Sequence, residues 1–326
     1  MKILETKFTK EELEFLNPIL QKGELGFGSN VSLFETEFQS FSGKTHNVAT
    51  NSASAAAFMI FAYLKEKYGV CDVYTPSLAF TSPAWAAKHF GHNIIWVDVD
   101  NTLLFDLDDY RDKRRIRCER YTDGGIKPVL MPILYGGISN IKEFNTLSED
   151  NYNEIVVVDS AHCVTPTIKS DFIFFSFHPY KPICSSDGGM ISTDNKEASE
   201  WFRNYRNFGR QNVGDSYDII QNGFKFYMNN LNASIALISL SKYYSDLKIR
   251  KENHSKLDNV LPHDEKSSYY MATKIDKNAN QFNQDHNLAR HYPLLHKTKY
   301  FNSDIKLPNT ELLHPQIINL PLWKLL

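Results

Sequence analysis

A series of short apolar runs, each closed by small or polar residues, most constrains the architecture open to this chain. They are HNVAT, CDVYTP, NIIWVDVD, KPVLMPIL, EIVVVDSAH, DFIFFSF and GGMISTD. Helical patterns such as SASAAAFMIFAYLKEKYG and SPAWAAKHFG separate the earlier ones. Most of the runs are apolar on successive residues, so they suit strands buried on both faces. Strands of this kind alternating with helices predict an α/β fold around a mostly parallel central sheet with helices on both sides. In such a sheet a ligand site forms beyond the carboxyl ends of the strands.

The flanking segments differ. Residues 1–45 carry helical patterns, with Phe34, Phe38 and Phe41 recurring on one face. Long helical stretches follow the last apolar run, and after residue 245 polar residues increase and strand signals weaken. This predicts a large domain over 1–245 and a smaller one over 246–326. With 42% hydrophobic and 23% charged residues the chain can bury a sizeable core. Its net charge of −2 offers no global field to nucleic acid or an anionic membrane. The basic run RDKRRIR, residues 111–117, reads as a solvated helix face. Four cysteines without a C-x-x-C pair read as reduced thiols rather than a disulfide frame or a zinc site. No apolar run reaches the length of a membrane span, and the expected location is the cytoplasm.

Chemistry concentrates at strand ends. Lys181 lies in FFSFHPYKPIC, an apolar setting that disfavours an ammonium and lowers its pKa. A neutral amine there is a nucleophile toward carbonyls. Taken alone, a lysine extending to solvent at a strand end explains it better. Asp159 ends the apolar run EIVVVD and needs a cationic or hydrogen-bonding partner; a protonated pyridine nitrogen is one, and capping the next turn is the commoner use. In TNSASAAAFMIF the amides of Ala53 and Ser54 open a helix and suit a phosphate, although taken singly ordinary serine capping is the favoured reading. Neither a G-x-x-x-x-G-K-[ST] loop nor a G-x-G-x-x-G turn is present. The order phosphate cradle, Asp, Lys on one sheet is more specific than any member of it.

With these residues in place, the chain resembles the DegT/DnrJ/StrS aminotransferases, pyridoxal-phosphate enzymes that aminate nucleotide-linked keto-sugars. The resemblance runs from about Gly28 to Leu322. GSNVSLFETEF is similar to the family's G-x-x-V-x-x-F-E opening, TNSASAAA to N-S-G-T-x-A-L, LYGG to L-Y-G-Q, and VDSAHCV to E-D-A-A-H-A. FFSFHPYKPICSSDGGMISTD is similar to F-S-F-H-P-x-K-x-x-T-T-G-E-G-G-x-x-x-T-D, the most specific match. HYPLLH and INLPLW resemble its C-terminal signatures.

The resemblance implies an aspartate-aminotransferase-like fold (PLP fold type I), pyridoxal 5′-phosphate as cofactor, glutamate and a nucleotide-linked keto-deoxyhexose as substrates, and a homodimer with shared active sites. Lys181 and Asp159 are the implied catalytic pair, Lys181 holding the cofactor as a Schiff base and moving a proton, and Asp159 pairing with the pyridine nitrogen. Ala53, Ser54 and Ser176 would hold the phosphate, Phe80 would stack on the ring, and His162 would lie near the ring hydroxyl. Lys225, in the 223–232 loop, would reach the cofactor site of the other subunit. Four departures stand out: Ala53 and Ser186 replace glycines, Lys225 and Tyr227 stand where many members have Asn and Arg, the segment before HYPLLH is short, and the C-terminal domain is expected to be shortened. They keep open two alternatives, a degenerate binding or regulatory protein and a sugar dehydratase. Dehydratase relatives replace the lysine by histidine, and Lys181 is intact.

Overall fold

The computed structural model describes residues 9–120, 127–132, 154–164, 169–213, 215–263, 268–269 and 271–322. Thirteen strands are described: β1 (His46–Thr50), β2 (Cys71–Pro76), β3 (Asn93–Val97), β4 (Lys127–Leu130), β5 (Ile155–Asp159), β6 (Cys163–Val164), β7 (Phe172–Ser176), β8 (Gly189–Thr193), β9 (Arg210–Val213), β10 (Ser216–Ile219), β11 (Ser268–Tyr269), β12 (Met271–Ile275) and β13 (Ile317–Pro321). Seven of them form the central sheet, in the order β1-β8-β7-β5-β4-β2-β3. All seven apolar runs of the sequence contribute to it. β2, β3, β4, β5 and β7 pair in parallel, and β8 is antiparallel to both β1 and β7. The LYGG motif lies outside the described residues.

Successive residues of one strand face opposite ways, so the sheet feeds two cores. Val156, Val158, Ile173, Phe175 and Met190 pack with Val31 and Phe34 of the helix Ser29–Glu37 and with Ala233, Ala236 and Leu240 of the helix Asn230–Ser241. Ile155, Val157, Phe172, Phe174 and Ile191 pack on the other side, against the helices Ala53–Tyr68 and Lys196–Tyr205. A sheet covered on both faces needs apolar residues at nearly every position, which is why its strands read as continuous runs.

The C-terminal part is joined closely to this body. Residue 245 falls inside the helix Tyr243–His254, and Tyr269, Ala272, Ala279, Ile318 and Leu320 share a core with the sheet's β5, β7 and β8. β12 pairs with β13, and β11 pairs with β6 of the large sheet's neighbourhood. The basic run lies on the helix Leu107–Arg120, where Arg117 pairs with Asp72, Lys113 with Asp109 at 2.6 Å and Arg111 with Asp108 at 2.9 Å. Its charge is therefore largely answered within the chain. Among the described residues no helix is long and apolar enough to cross a membrane.

Behind β1 sits a buried ion cluster. Glu35, 5% exposed, accepts hydrogen bonds from Arg203, Arg206 and the Ala49 amide, while Arg206, 3% exposed, also donates to the Ala49 carbonyl at 2.6 Å. The cluster ties the helices Ser29–Glu37 and Lys196–Tyr205 to the strand that leads into Ser52–Ser54. Glu35→Gln keeps the shape but leaves Arg206 buried and uncompensated. Unfolding in urea should show a loss of about 3–5 kcal/mol; a loss under 1 kcal/mol would mean that the backbone carbonyls alone satisfy the arginines.

Candidate active site

Four parallel-running strands deliver the candidate residues to one edge. β1 runs into Ser52–Ser54 at the start of the helix Ala53–Tyr68, and β2 into Phe80. β5 ends at Asp159, and β7 ends at Ser176, just before Lys181. β8 runs the other way, so its first residue, Gly189, and Gly188 just before it also lie here. The result is a cavity of about 340 Å³ lined by Ser52, Ala53, Ser54, Phe80, Asp159, His162, Ser176 and Lys181, eight residues named from the sequence motifs.

The helix start presents the positive end of a helix dipole to the cavity. Ser52 is the N-cap, extended, and its hydroxyl accepts the Ala55 amide at 3.1 Å. The amides of Ala53 and Ser54 precede the first intrahelical bonds and point outward with the positive end of the helix dipole. Ala53 is already helical, a conformation in which alanine replaces glycine without strain. Gly189 explains the paired glycines: a Cβ there would stand 2.5 Å from the Ser52 carbonyl carbon and 2.6 Å from the Ala53 nitrogen. Only glycine lets β8 pass this close to the helix start. Ser186 adopts φ +68°, the left-handed conformation for which glycine is the easier residue.

Asp159 is 3% exposed, and its Oδ1 accepts the Ala161 amide at 2.9 Å. Burial pushes the carboxyl up to about 6, against the opposing pull of that amide and of Lys181. Burial likewise pushes the half-buried Lys181 down to about 8, and Asp159 is the largest opposing influence. Each group is displaced toward its neutral form, and each partly restores the other. Such a pair can hold a polar ring at its nitrogen and present an amine able to react near neutral pH.

Lys225 lies elsewhere in this chain. It is exposed, outside the cavity lining, on a segment docked against β1: Asn51 Nδ2 donates to the Lys225 carbonyl at 3.1 Å, and the Asn51 amide to the Phe226 carbonyl at 2.7 Å. Conversely, Ser82, Tyr180, Asp187, His291 and Tyr292 line the cavity without having been singled out from the sequence. HYPLLH is visible as a motif, but its role is not: Tyr292 OH lies 2.9 Å from His162 Nε2, a residue 130 positions away. Among the described residues no cluster of His, Cys, Asp and Glu could hold a metal ion.

Comparison with known proteins gives a consistent picture. The sequence model of the DegT/DnrJ/EryC1/StrS aminotransferase family matches residues 6–326. The chain is 31% identical over 262 residues to the spore coat polysaccharide biosynthesis protein SpsC of Bacillus subtilis, spanning 74% of this chain and 64% of the length of SpsC. It is 26% identical over 275 residues to a UDP-4-amino-4,6-dideoxy-N-acetyl-beta-L-altrosamine transaminase of Campylobacter jejuni, spanning 82% of this chain and 70% of that one. The fold is similar to that of Helicobacter pylori PseC, an aminotransferase involved in the biosynthesis of pseudoaminic acid (TM-score 0.82, 19% identity, 97% of this chain and 92% of that one). It is also similar to a DegT DnrJ EryC1 StrS aminotransferase of Brucella abortus (TM-score 0.81, 18% identity, 95% and 89%).

The Asp159 displacement makes a stability prediction for the ligand-free protein. The folded pKa is raised from 3.8 to about 6, so the folded chain binds this proton more tightly than the unfolded chain. The penalty of ionising it is absent below about pH 4 and complete above about pH 6, amounting to roughly 3 kcal/mol. Asp159→Asn stays neutral throughout. In paired urea titrations its stability should rise relative to wild type by that order across this window. A pH-independent difference would show that the carboxylate is not held against desolvation.

Proposed function

This chain belongs to the DegT/DnrJ/EryC1/StrS aminotransferase family, and on that premise we propose that it is a pyridoxal-phosphate-dependent enzyme passing the amino group of glutamate to a nucleotide-linked keto-deoxyhexose. The observation that carries the proposal is Lys181 beside Asp159 in one cavity with the Ser52–Ser54 helix start. Those residues fit the cofactor's chemistry. The cradle offers unpaired amides to a phosphate, and the missing Cβ of Gly189 keeps it open. A carboxylate raised by burial suits a pyridinium, and an amine lowered by burial suits an aldehyde.

Pyridoxal phosphate, when bound, supplies an aldehyde that accepts amines and a protonated ring that draws electrons from the substrate carbon. The remaining work falls to the chain. Lys181 Nζ, with a pKa of about 8, is unprotonated in about one molecule in ten at pH 7, and takes and returns the proton at the carbon that gains nitrogen. Asp159 would pair with the ring nitrogen and keep it protonated. The Ala53 and Ser54 amides and the Ser54 and Ser176 hydroxyls would hold the phosphate, Phe80 would stack on the ring, and His162 would lie near the ring hydroxyl. We further propose a cytoplasmic homodimer in which Lys225 serves the other subunit's cavity, consistent with its exposed place outside its own. The transaminase of Campylobacter and the coat-polysaccharide protein of Bacillus, by their names, support a role in amino-sugar and polysaccharide biosynthesis.

The first test is an absorption spectrum of purified protein before and after borohydride, with peptide mapping. A visible band lost on reduction and a pyridoxyl group on Lys181 are expected. Incubation with glutamate and a panel of nucleotide-linked keto-deoxyhexoses should yield an amino-sugar by mass. Lys181→Ala should lower turnover by at least about 10²–10⁴-fold; wild-type turnover in that variant would overturn the assignment. Bound cofactor that responds to no amino donor would favour a binding protein, and release of a deoxygenated keto-sugar would favour a dehydratase.

A further inference from the structure

One wall of the cavity comes from the far end of the chain and has no role in the reading above. Tyr292 reaches His162 Nε2 with its hydroxyl at 2.9 Å, the two rings 5.6 Å apart and inclined by 51°. Its ring meets Phe80 edge-on at 5.5 Å. His162 itself is 4% exposed, on the turn that follows Asp159.

The backbone under Tyr292 is held on every side. His314 Nε2 lies 2.8 Å from the Tyr292 carbonyl oxygen, and the His291 amide donates to Asn319 Oδ1 on β13 at 2.9 Å. Just downstream, Leu294 bridges to Leu78 and the Leu295 amide donates to the Ser77 carbonyl at 2.9 Å. Ser77 Oγ lies 2.6 Å from His296 Nδ1, and His296 Nε2 lies 3.3 Å from Glu311 Oε1. Ser77 and His296 are fully buried, so this Ser–His–Glu chain braces the segment and meets no substrate. A braced backbone delivers one hydroxyl to one imidazole nitrogen.

We propose that Tyr292 is a positioning residue that sets the ring plane and tautomer of His162 on the ring-hydroxyl side of the cofactor; the proposal rests on the aminotransferase reading. A hydrogen bond at one imidazole nitrogen decides which proton the other carries. If Tyr292 donates, Nδ1 keeps the proton; if Nε2–H donates, Nδ1 is an acceptor. In either state the ring cannot turn without breaking the bond. His162 thus meets the ring hydroxyl as a fixed donor or acceptor, and shifts the pH at which the bound cofactor changes its absorption. The other titratable groups facing the cavity are Asp159, His178, Tyr180, Lys181, Asp187 and His291, with His314 behind Tyr292. Tyr292→Phe alters none of them and keeps the edge contact with Phe80.

The test compares wild type, Tyr292→Phe, His162→Asn and the double variant. Two quantities are read: the pH midpoint of the visible absorption change in the cofactor-loaded protein, and the affinity of the cofactor-free protein for pyridoxal phosphate. Tyr292→Phe should move the midpoint by about half a pH unit or more and weaken affinity about threefold to tenfold. In the His162→Asn background it should add nothing. An unmoved midpoint, or the same shift persisting without His162, would overturn the proposal. Borohydride labelling runs in parallel: no label on Lys181 in wild type defeats the aminotransferase reading and this proposal with it, whereas labelling in all four proteins with an unmoved midpoint defeats this proposal alone.

Discussion

Asp159 and Lys181 hold opposite charges in a place where burial favours neither. The carboxyl is driven up to about 6 and the amine down to about 8, each resisting the other's displacement. Both come from the sheet's carboxyl edge, one at the end of β5 and one in the loop after β7. The sheet must be apolar enough to desolvate them, yet must set them together so that they remain usable. The rest of the cavity follows from that demand, because a site that raises a carboxylate and lowers an amine has to be walled from water by packed elements.

The walls come from different parts of the chain. The Glu35–Arg203–Arg206 cluster steadies β1 before it enters the Ser52–Ser54 helix start. Gly189 lets an antiparallel strand lie against that helix start. On the far side, Asp98 accepts from the Asn309 and Thr310 amides at 3.0 and 2.7 Å, anchoring the C-terminal helix Pro308–Leu313 to the end of β3. Together with the Ser77–His296 contact, this seats the segment that carries Tyr292. The C-terminal part of the chain is thus a structural wall of the site rather than an appendage.

Much of this was legible in the residues themselves. Doubly buried strands announce themselves as continuous apolar runs, and all seven lie in the central sheet. Lys181, Asp159 and TNSASAAA were identifiable because each breaks a local rule: a lysine and a carboxylate in apolar surroundings, and small residues opening a helix. Local chemistry of that kind is carried by neighbours in the chain. So are the conformations at Ala53 and Ser186, where the helix start accepts alanine and the turn places serine at a left-handed φ.

What the tertiary structure alone decided is which distant residues meet. The amino-acid order of HYPLLH marks a motif, but 130 positions separate Tyr292 from the His162 it touches. The same holds for Ser77 and His296, 219 positions apart, and for the absence of Lys225 from its own chain's cavity. The expected boundary near residue 245 falls within the helix Tyr243–His254, and residues on both sides of it share one core. Periodicity and composition encode which face of an element is buried. Which element buries it depends on loop paths and close approaches such as that at Gly189, which no local pattern expresses.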